Sequence, residues 1–394
     1  MKLNLFNTDS IRNSRLPWID YARGIAIFLV LYRHIYSGIR SAGLDTSHYR
    51  LLEEGNIVFF SFRMPLFFMV SGVFLGLSLG KRGLGQFIEN KWKMLLYPYF
   101  LWALIQVTLQ LGLSHYVNAG RTWRDYLYIL YRPREIDQFW YLYALFNTTV
   151  LYVIARVKLK MRGLVQVATG LVLFFVSGWL VRHRIYTGFA YDIMHYYIFI
   201  AVGDTLSAWI LDKKNIPLFS SWKLFFIILP VFVVCQWYFL VTNLAHSDQT
   251  GVKTGYYSFV EDYLPVLFLV IAMSGVVFMM NVSFLLQRYK AVPALRVIGY
   301  NSLYIYLMHV LASSVCRIVL NKVFGITNVP VLFVCGVTVG LIVPVVFYNI
   351  AMQLGWWWLF SLEPPKQPKE APREKAPVTG VNLEPGVNSQ MKHL

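Results

Sequence analysis

The chain of 394 residues is 57% hydrophobic and 17% aromatic but only 14% charged, against about 25% charged in an average soluble domain. Its net charge of +17 comes in short clusters between apolar runs and never builds a basic polar domain, which excludes nucleic acid as a partner. The runs are about 20 residues long, enough to cross a bilayer, so the sequence predicts an all-α, polytopic integral membrane protein.

About ten spans are expected, over residues 18–38, 58–79, 94–113, 138–155, 164–181, 191–210, 222–241, 263–282, 297–317 and 330–352. The basic turns KRGLGQFIENKWK (81–93), RVKLKMR (156–162), LDKKN (211–215) and QRYKAVPALR (287–296) alternate with less basic ones. The positive-inside rule places these turns and both termini in the cytoplasm, with residues 114–137 and 242–261 outside. The first span is expected to stay attached, because Arg33 and His34 interrupt its apolar run and no small-residue cleavage site follows.

That first span, RLPWIDYARGIAIFLVLYRHIYSGI (15–39), holds Asp20, Arg23, Arg33 and His34 among apolar residues. Arg23 and His34 are eleven positions apart, so both side chains share one helix face with about 16 Å between them. Arg23 snorkels readily at the end of a span, whereas a histidine at greater depth normally faces a bundle interior or a water-filled cavity. An isolated imidazole there is as well explained by a bond to a neighbouring helix. On one stripe with Arg23, it becomes a candidate general base.

In the second span, FFSFRMPLFFMVSGVFLG (59–76), Pro65 predicts a kink and Ser71-Gly72 a close helix contact. Ser71 lacks the flanking pattern of a nucleophile and reads as a packing serine. Lys81, Arg82, Lys91 and Lys93 form a basic collar before the third span, which is either ordinary topological charge or a seat for a phosphate-bearing cosubstrate. The segment HYVNAGRTWRDYLYILYRPREIDQFW (115–140) sets four arginines among acidic and aromatic residues, as ligand recognition or interfacial anchoring requires. Cys235, Cys316 and Cys335 stand alone, without metal-site or disulfide spacing. In the ninth span His309 shares a face with Ser302. Residues 1–355 are expected to form the transmembrane domain and 356–394 a disordered cytoplasmic tail rich in Pro and charge.

Six segments in order carry a resemblance: WIDYARGIAIFLVLYRH (18–34), MPLFFMVSG (64–72), LLYPYFLW (95–102), FWYLYALF (139–146), FIAVGD (199–204) and IGYNSLYIYLMH (298–309). Together they resemble the acyltransferase family 3 membrane proteins, and the pairing of WID with RMPLFFMVSG is most similar to the fucose-4-O-acetylase-like subgroup. The resemblance implies O-acetylation of an envelope saccharide or lipid-linked glycan precursor from cytoplasmic acetyl-CoA, in the inner membrane of a bacterium. It implies essential roles for Arg23 and His34 and a basic donor site before the third helix. The chain departs from the family where two arginines three apart are frequent, having Lys91 and Met94 with Lys93 between, and where a histidine often precedes MP, having Arg63.

The expected enzyme thus uses acetyl-CoA as cosubstrate, binds no metal or resident cofactor, and meets membrane lipids and a glycan acceptor. Lys81, Arg82, Lys91 and Lys93 would take the donor phosphates. His34 would deprotonate the acceptor hydroxyl or carry the acyl group, with Arg33, Asn301, Ser302 and His309 as candidate acceptor-site residues. Two rival readings are a transporter or flippase of an envelope precursor and the same enzyme with a succinyl or longer donor.

Overall fold

A computed structural model describes residues 16–80, 83–113, 120–250 and 258–364, without the side chains of 247–250. The long helices are α1 (Pro17–Ser41), α2 (Arg50–Val73), α3 (Tyr97–Gly112), α4 (Trp140–Val157), α5 (Gly163–Arg182), α6 (Phe189–Thr205), α7 (Trp222–Thr250), α8 (Pro265–Tyr289), α9 (Ser302–Ile318) and α10 (Val329–Gln353). Among the described residues there is no strand. Each long helix coincides with one of the predicted spans. The second begins near Arg50, earlier than expected, and the predicted 297–317 span is broken at Asn301 into Pro293–Tyr300 and α9. Lys81, Arg82 and the tail from residue 365 lie outside the described residues. Packing continues past the expected boundary at 355: Leu359 and Phe360 are buried, and Trp102 donates to the Leu359 carbonyl at 2.8 Å.

Among the described residues, seven helical stretches are long and apolar enough to cross a membrane: Arg50–Gly80, Gly83–Gly112, Gly163–Arg182, Trp222–His246, Pro265–Tyr289, Ser302–Val323 and Val329–Gln353. The other three long helices are too polar or too short to meet that standard. Asp20, Arg23, Arg33 and Arg40 interrupt α1, Asn147, Thr148, Thr149 and Arg156 interrupt α4, and α6 has 17 residues with Asp192 and Asp204. These polar helices lie inside the bundle, α6 being buried along most of its length, whereas the strongly apolar α7 window is only 11% buried. The division follows from solvation, since polar groups facing lipid find no partners and polar groups facing a bundle interior do.

α1 packs against α2, α8, α9, α10 and the short helix Pro293–Tyr300. The last contact needs glycine on both sides: a methyl group on Gly299 would lie 1.6 Å from the Asp20 carbonyl oxygen, and one on Gly24 would lie 2.2 Å from that of Leu295. Trp18 fixes the start of α1, stacking on Phe284 and donating its backbone N–H to Gln287 at 2.8 Å. The close contact expected at Ser71-Gly72 is made with α6, where the Ile200 carbonyl fills the space a Gly72 side chain would need.

Candidate active site

The two ends of α1 present different surroundings. Near its start, Asp20 is 3.5 Å from Arg296, and Arg23 is exposed. Three turns on, His34 lines a cavity of about 620 Å³ that opens at the far end of the bundle. Arg33, Phe60 and Arg63 share its wall with His34. The segment Arg134–Trp140, the end of α5, the start of α6 and residues 258–262 complete it. Arg23 is not among the residues that line this cavity, so the two residues of the predicted stripe do not share one chamber. Tyr141 links them: its hydroxyl lies with Ser71 and within electrostatic reach of Arg23, while its ring meets Tyr306, which lines the cavity, at 5.4 Å. Ser71 is thus engaged by a tyrosine, in keeping with a packing role.

Behind His34 sits His309, completely buried, with ring centroids 5.2 Å apart. Of the four candidate acceptor-site residues, Arg33 lines the cavity and His309 backs it. Asn301 and Ser302 are placed elsewhere. They fall at the start of α9, level with the Gly24–Gly299 contact, and the Asn301 amide donates to the Val297 carbonyl at 2.9 Å. Sharing a face with His309 was not enough, because two turns of helix carry Ser302 toward the Arg23 end. Of the collar, Lys93 is held between Glu89 at 2.7 Å and Glu363 at 2.5 Å, and Lys91 lies over the Phe87 ring.

The segment 120–140 forms a folded cap over the cavity. Arg121 is its hub, bonding Gln110, Asp125, Asp137 and the Glu135 carbonyl. Burial pushes the Asp125 carboxyl up, but two hydrogen bonds from Thr122 and the Arg121 charge more than offset it, leaving the group below its ordinary range. Arg134 bonds the buried Asp192 at 2.7 Å and lies over the rings of Trp140 and Tyr191. Opposite, His195 Nε2 is 3.0 Å from Glu261. Next to Glu261, burial and the Glu261 charge push Asp262 up to about 6.

Sequence reasoning singled out Arg63 only as a departure from a resemblance, and passed over Asp192, His195, Glu261 and Asp262. Asp192 and His195 carried a usable signal, being ionisable groups three positions apart within a predicted span. Glu261 and Asp262 carried none, since a carboxylate pair between spans looks like ordinary loop charge.

The sequence matches the acyltransferase domain of the acyltransferase 3 family over residues 16–349, which covers every helix that lines the cavity. No curated protein and no solved structure is detectably similar to the chain. With most of its length matched, the chain belongs to the acyltransferase 3 family and is an integral membrane enzyme that transfers acyl groups.

Proposed function

We propose that the protein acetylates a hydroxyl of a cell-envelope saccharide or lipid-linked glycan, with acetyl-CoA bound at the Arg23 end of α1 and the glycan entering the cavity at the other. The observation that carries this reading is the position of His34, an intramembrane imidazole on the wall of a polar cavity three turns from an exposed arginine. The cavity has the volume of a small-molecule site and mixes charged groups with Trp140, Tyr191 and Tyr196, the aromatic and polar lining that sugars favour.

In this reading all ten long helices cross the membrane, α1, α4 and α6 as interior spans, with both termini in the cytoplasm of a bacterial inner membrane. Arg23 and the basic collar of Lys81, Arg82, Lys91 and Lys93 receive the donor phosphates, Lys93 after release from its carboxylates. His34 takes the proton of the acceptor hydroxyl as its oxygen attacks the thioester carbonyl. The tetrahedral oxyanion collapses, the C–S bond breaks, and the imidazolium returns its proton to the departing thiolate. Membership in an acyltransferase family favours this enzyme over the transporter reading, and the fucose-4-O-acetylase-like resemblance favours acetyl over longer acyl groups.

The test is purified enzyme in lipid nanodiscs with envelope glycan extract and, in parallel reactions, labelled acetyl-CoA or labelled succinyl-CoA, read by mass spectrometry for the added acyl group. Label in glycan supports the proposal. Label transferred only from succinyl-CoA, or to no acceptor while acetyl-CoA is consumed, overturns the donor or the acceptor assignment respectively.

A further inference from the structure

Arg63 is 4% exposed, lines the cavity beside His34, and has a buried Nη1 without a hydrogen-bond partner. Its side chain has no carboxylate within ion-pair distance among the described residues. The carboxylate whose charge reaches it belongs to Glu261, which lies 3.0 Å from His195. The other cationic side chain opposite, Arg134, is already matched by Asp192. Instead of an anion, Arg63 has the face of Phe60, with the guanidinium carbon 5.3 Å from the ring centroid, and Arg33 stands over the same ring at 5.8 Å. Two guanidinium groups thus share one aromatic ring on the wall that carries the imidazole.

Removing an arginine from water inside a membrane is costly, and a neighbouring like charge adds to the cost. A cation–π contact returns only about 0.5–2 kcal/mol. A fold that keeps such a group at a cavity wall is completed electrostatically by whatever fills the cavity. Arginine also offers a planar fork of donors that matches the two oxygens of a carboxylate or phosphate.

We propose that Arg63, with Arg33 beside it, binds an anionic oxygen group of the acceptor, a carboxylate or a phosphate ester, so that the enzyme acylates a hydroxyl on an acidic glycan. The proposal rests on the acetyl-transfer reading for the hydroxyl and adds the charge class of the molecule that bears it. The guanidinium holds the acid group while the neighbouring hydroxyl faces His34. The anion also offsets the positive field that otherwise opposes formation of a His34 imidazolium.

The experiment offers the full-length enzyme in nanodiscs three methyl glycosides differing in one group: the glucoside, the glucuronide and the glucoside 6-phosphate. Binding is followed by saturation-transfer NMR without acetyl-CoA, and transfer by mass spectrometry with it. The anionic glycosides should bind and react at least about tenfold better than the neutral one, chiefly through KM. Preference for the glucuronide identifies an acidic sugar, and preference for the phosphate a phosphate-linked glycan. Arg63→Gln should erase the preference, costing the anionic glycosides far more than the neutral one, and Arg63→Lys should restore part of it. Equal binding of charged and neutral glycosides to the wild-type enzyme, a comparison that needs no variant, overturns the proposal. So does an Arg63→Gln variant that lowers kcat equally for all three, because that pattern marks a transition-state oxyanion donor. Anion-selective binding without transfer of acetyl to any glycoside or envelope glycan would instead reject the acetyl-transfer reading and leave the anion site standing.

Discussion

His34 and His309 face each other across the α1–α9 interface, with ring centroids 5.2 Å apart and ring planes at 64°. The two imidazoles are not equivalent. His309 Nδ1 lies 3.0 Å from the Ile305 carbonyl and 2.9 Å from that of Tyr306, which places its hydrogen on Nδ1 and leaves Nε2 as a buried lone pair. Protonating that nitrogen would create a charge completely sealed from water. His34 reaches the cavity, where its charge would meet other polar groups. In the proposed mechanism this asymmetry favours His34 for proton transfer and leaves His309 as packing support.

His34→Gln should abolish acyl transfer, a loss of about 10² to 10⁴ in kcat, with normal membrane insertion and acetyl-CoA affinity. Glutamine keeps much of the shape and a hydrogen bond but takes no proton near neutral pH. His309→Gln, which removes the supporting ring, should lower kcat by a smaller factor. The check is transfer kinetics on both variants at matched protein level. Near wild-type activity in His34→Gln, with His309→Gln inactive, would reverse the two roles.

Much of this site was legible in the sequence because membrane burial penalises polar groups so heavily that those retained stand out. Arg23 and His34 could be set on one face by counting turns, and the ten long helices lie where apolar runs of spanning length predicted them. What could not be read is what faces each residue across an interface. Asn301 and Ser302 looked suited to the acceptor side until the break at Asn301 and the register of α9 put them at the opposite end from the cavity mouth. Arg134 was one of four similar loop arginines until α6 brought Asp192 to it. Periodicity reports the face a residue occupies, whereas the level at which two helices meet is set by contacts such as Gly24 with Leu295.

Gly299→Ala should damage the protein more than an exposed alanine substitution could. The added methyl would sit 1.6 Å from the Asp20 carbonyl oxygen, a backbone atom that no rotamer change can move. Pro293–Tyr300 must then shift off α1, taking Arg296 from Asp20. A loss of about 3 kcal/mol or more is expected, at or beyond the usual range for overpacking, measured as a lower unfolding midpoint in detergent. A midpoint within 1 °C of wild type would show that this contact is looser than described.

Asp262 supplies a pH dependence with a definite sign. Its carboxyl is raised to about 6, by burial first and the Glu261 charge second, with opposing pulls from Ser258, His195 and Arg134. An acid whose folded-state affinity for protons is raised stabilises the fold only at low pH, and that contribution is lost as pH rises from the ordinary carboxylate range through about 6. Asp262→Asn should therefore raise the unfolding midpoint by about 2–4 °C at pH 7.5, the shift for roughly 1 kcal/mol, and leave it unchanged near pH 4. In the same pH window the wild-type cavity gains a negative charge, so affinity for an anionic acceptor should weaken above pH 6, less so in Asp262→Asn. A variant less stable than wild type at pH 7.5 would refute the assignment.

Arg134 both pairs with a buried carboxylate and lines the cavity, and two substitutions separate these parts. Its Nε and Nη2 both lie 2.7 Å from Asp192 Oδ1, and its plane sits over Trp140 at 4.5 Å and Tyr191 at 4.8 Å, joining the 120–140 cap to α6. The Asp192 side chain is 1% exposed, while that of Arg134 is 42% exposed. Removing the arginine thus leaves a buried carboxylate uncompensated, whereas removing the aspartate frees a cation that water in the cavity already reaches. Arg134→Ala should cost about 3 kcal/mol, the lower end for breaking a buried pair because one partner is partly solvated. Asp192→Asn should cost clearly less, since the amide keeps a hydrogen-bond acceptor for the guanidinium. It also unmasks a further positive charge on the cavity wall, opposite Arg63 and Arg33, so it should tighten binding of an anionic glycoside while Arg134→Ala does not. Thermal unfolding and glycoside titration on the two variants give both answers, and equal destabilisation by the two would show that the pair is worth no more than a neutral hydrogen bond.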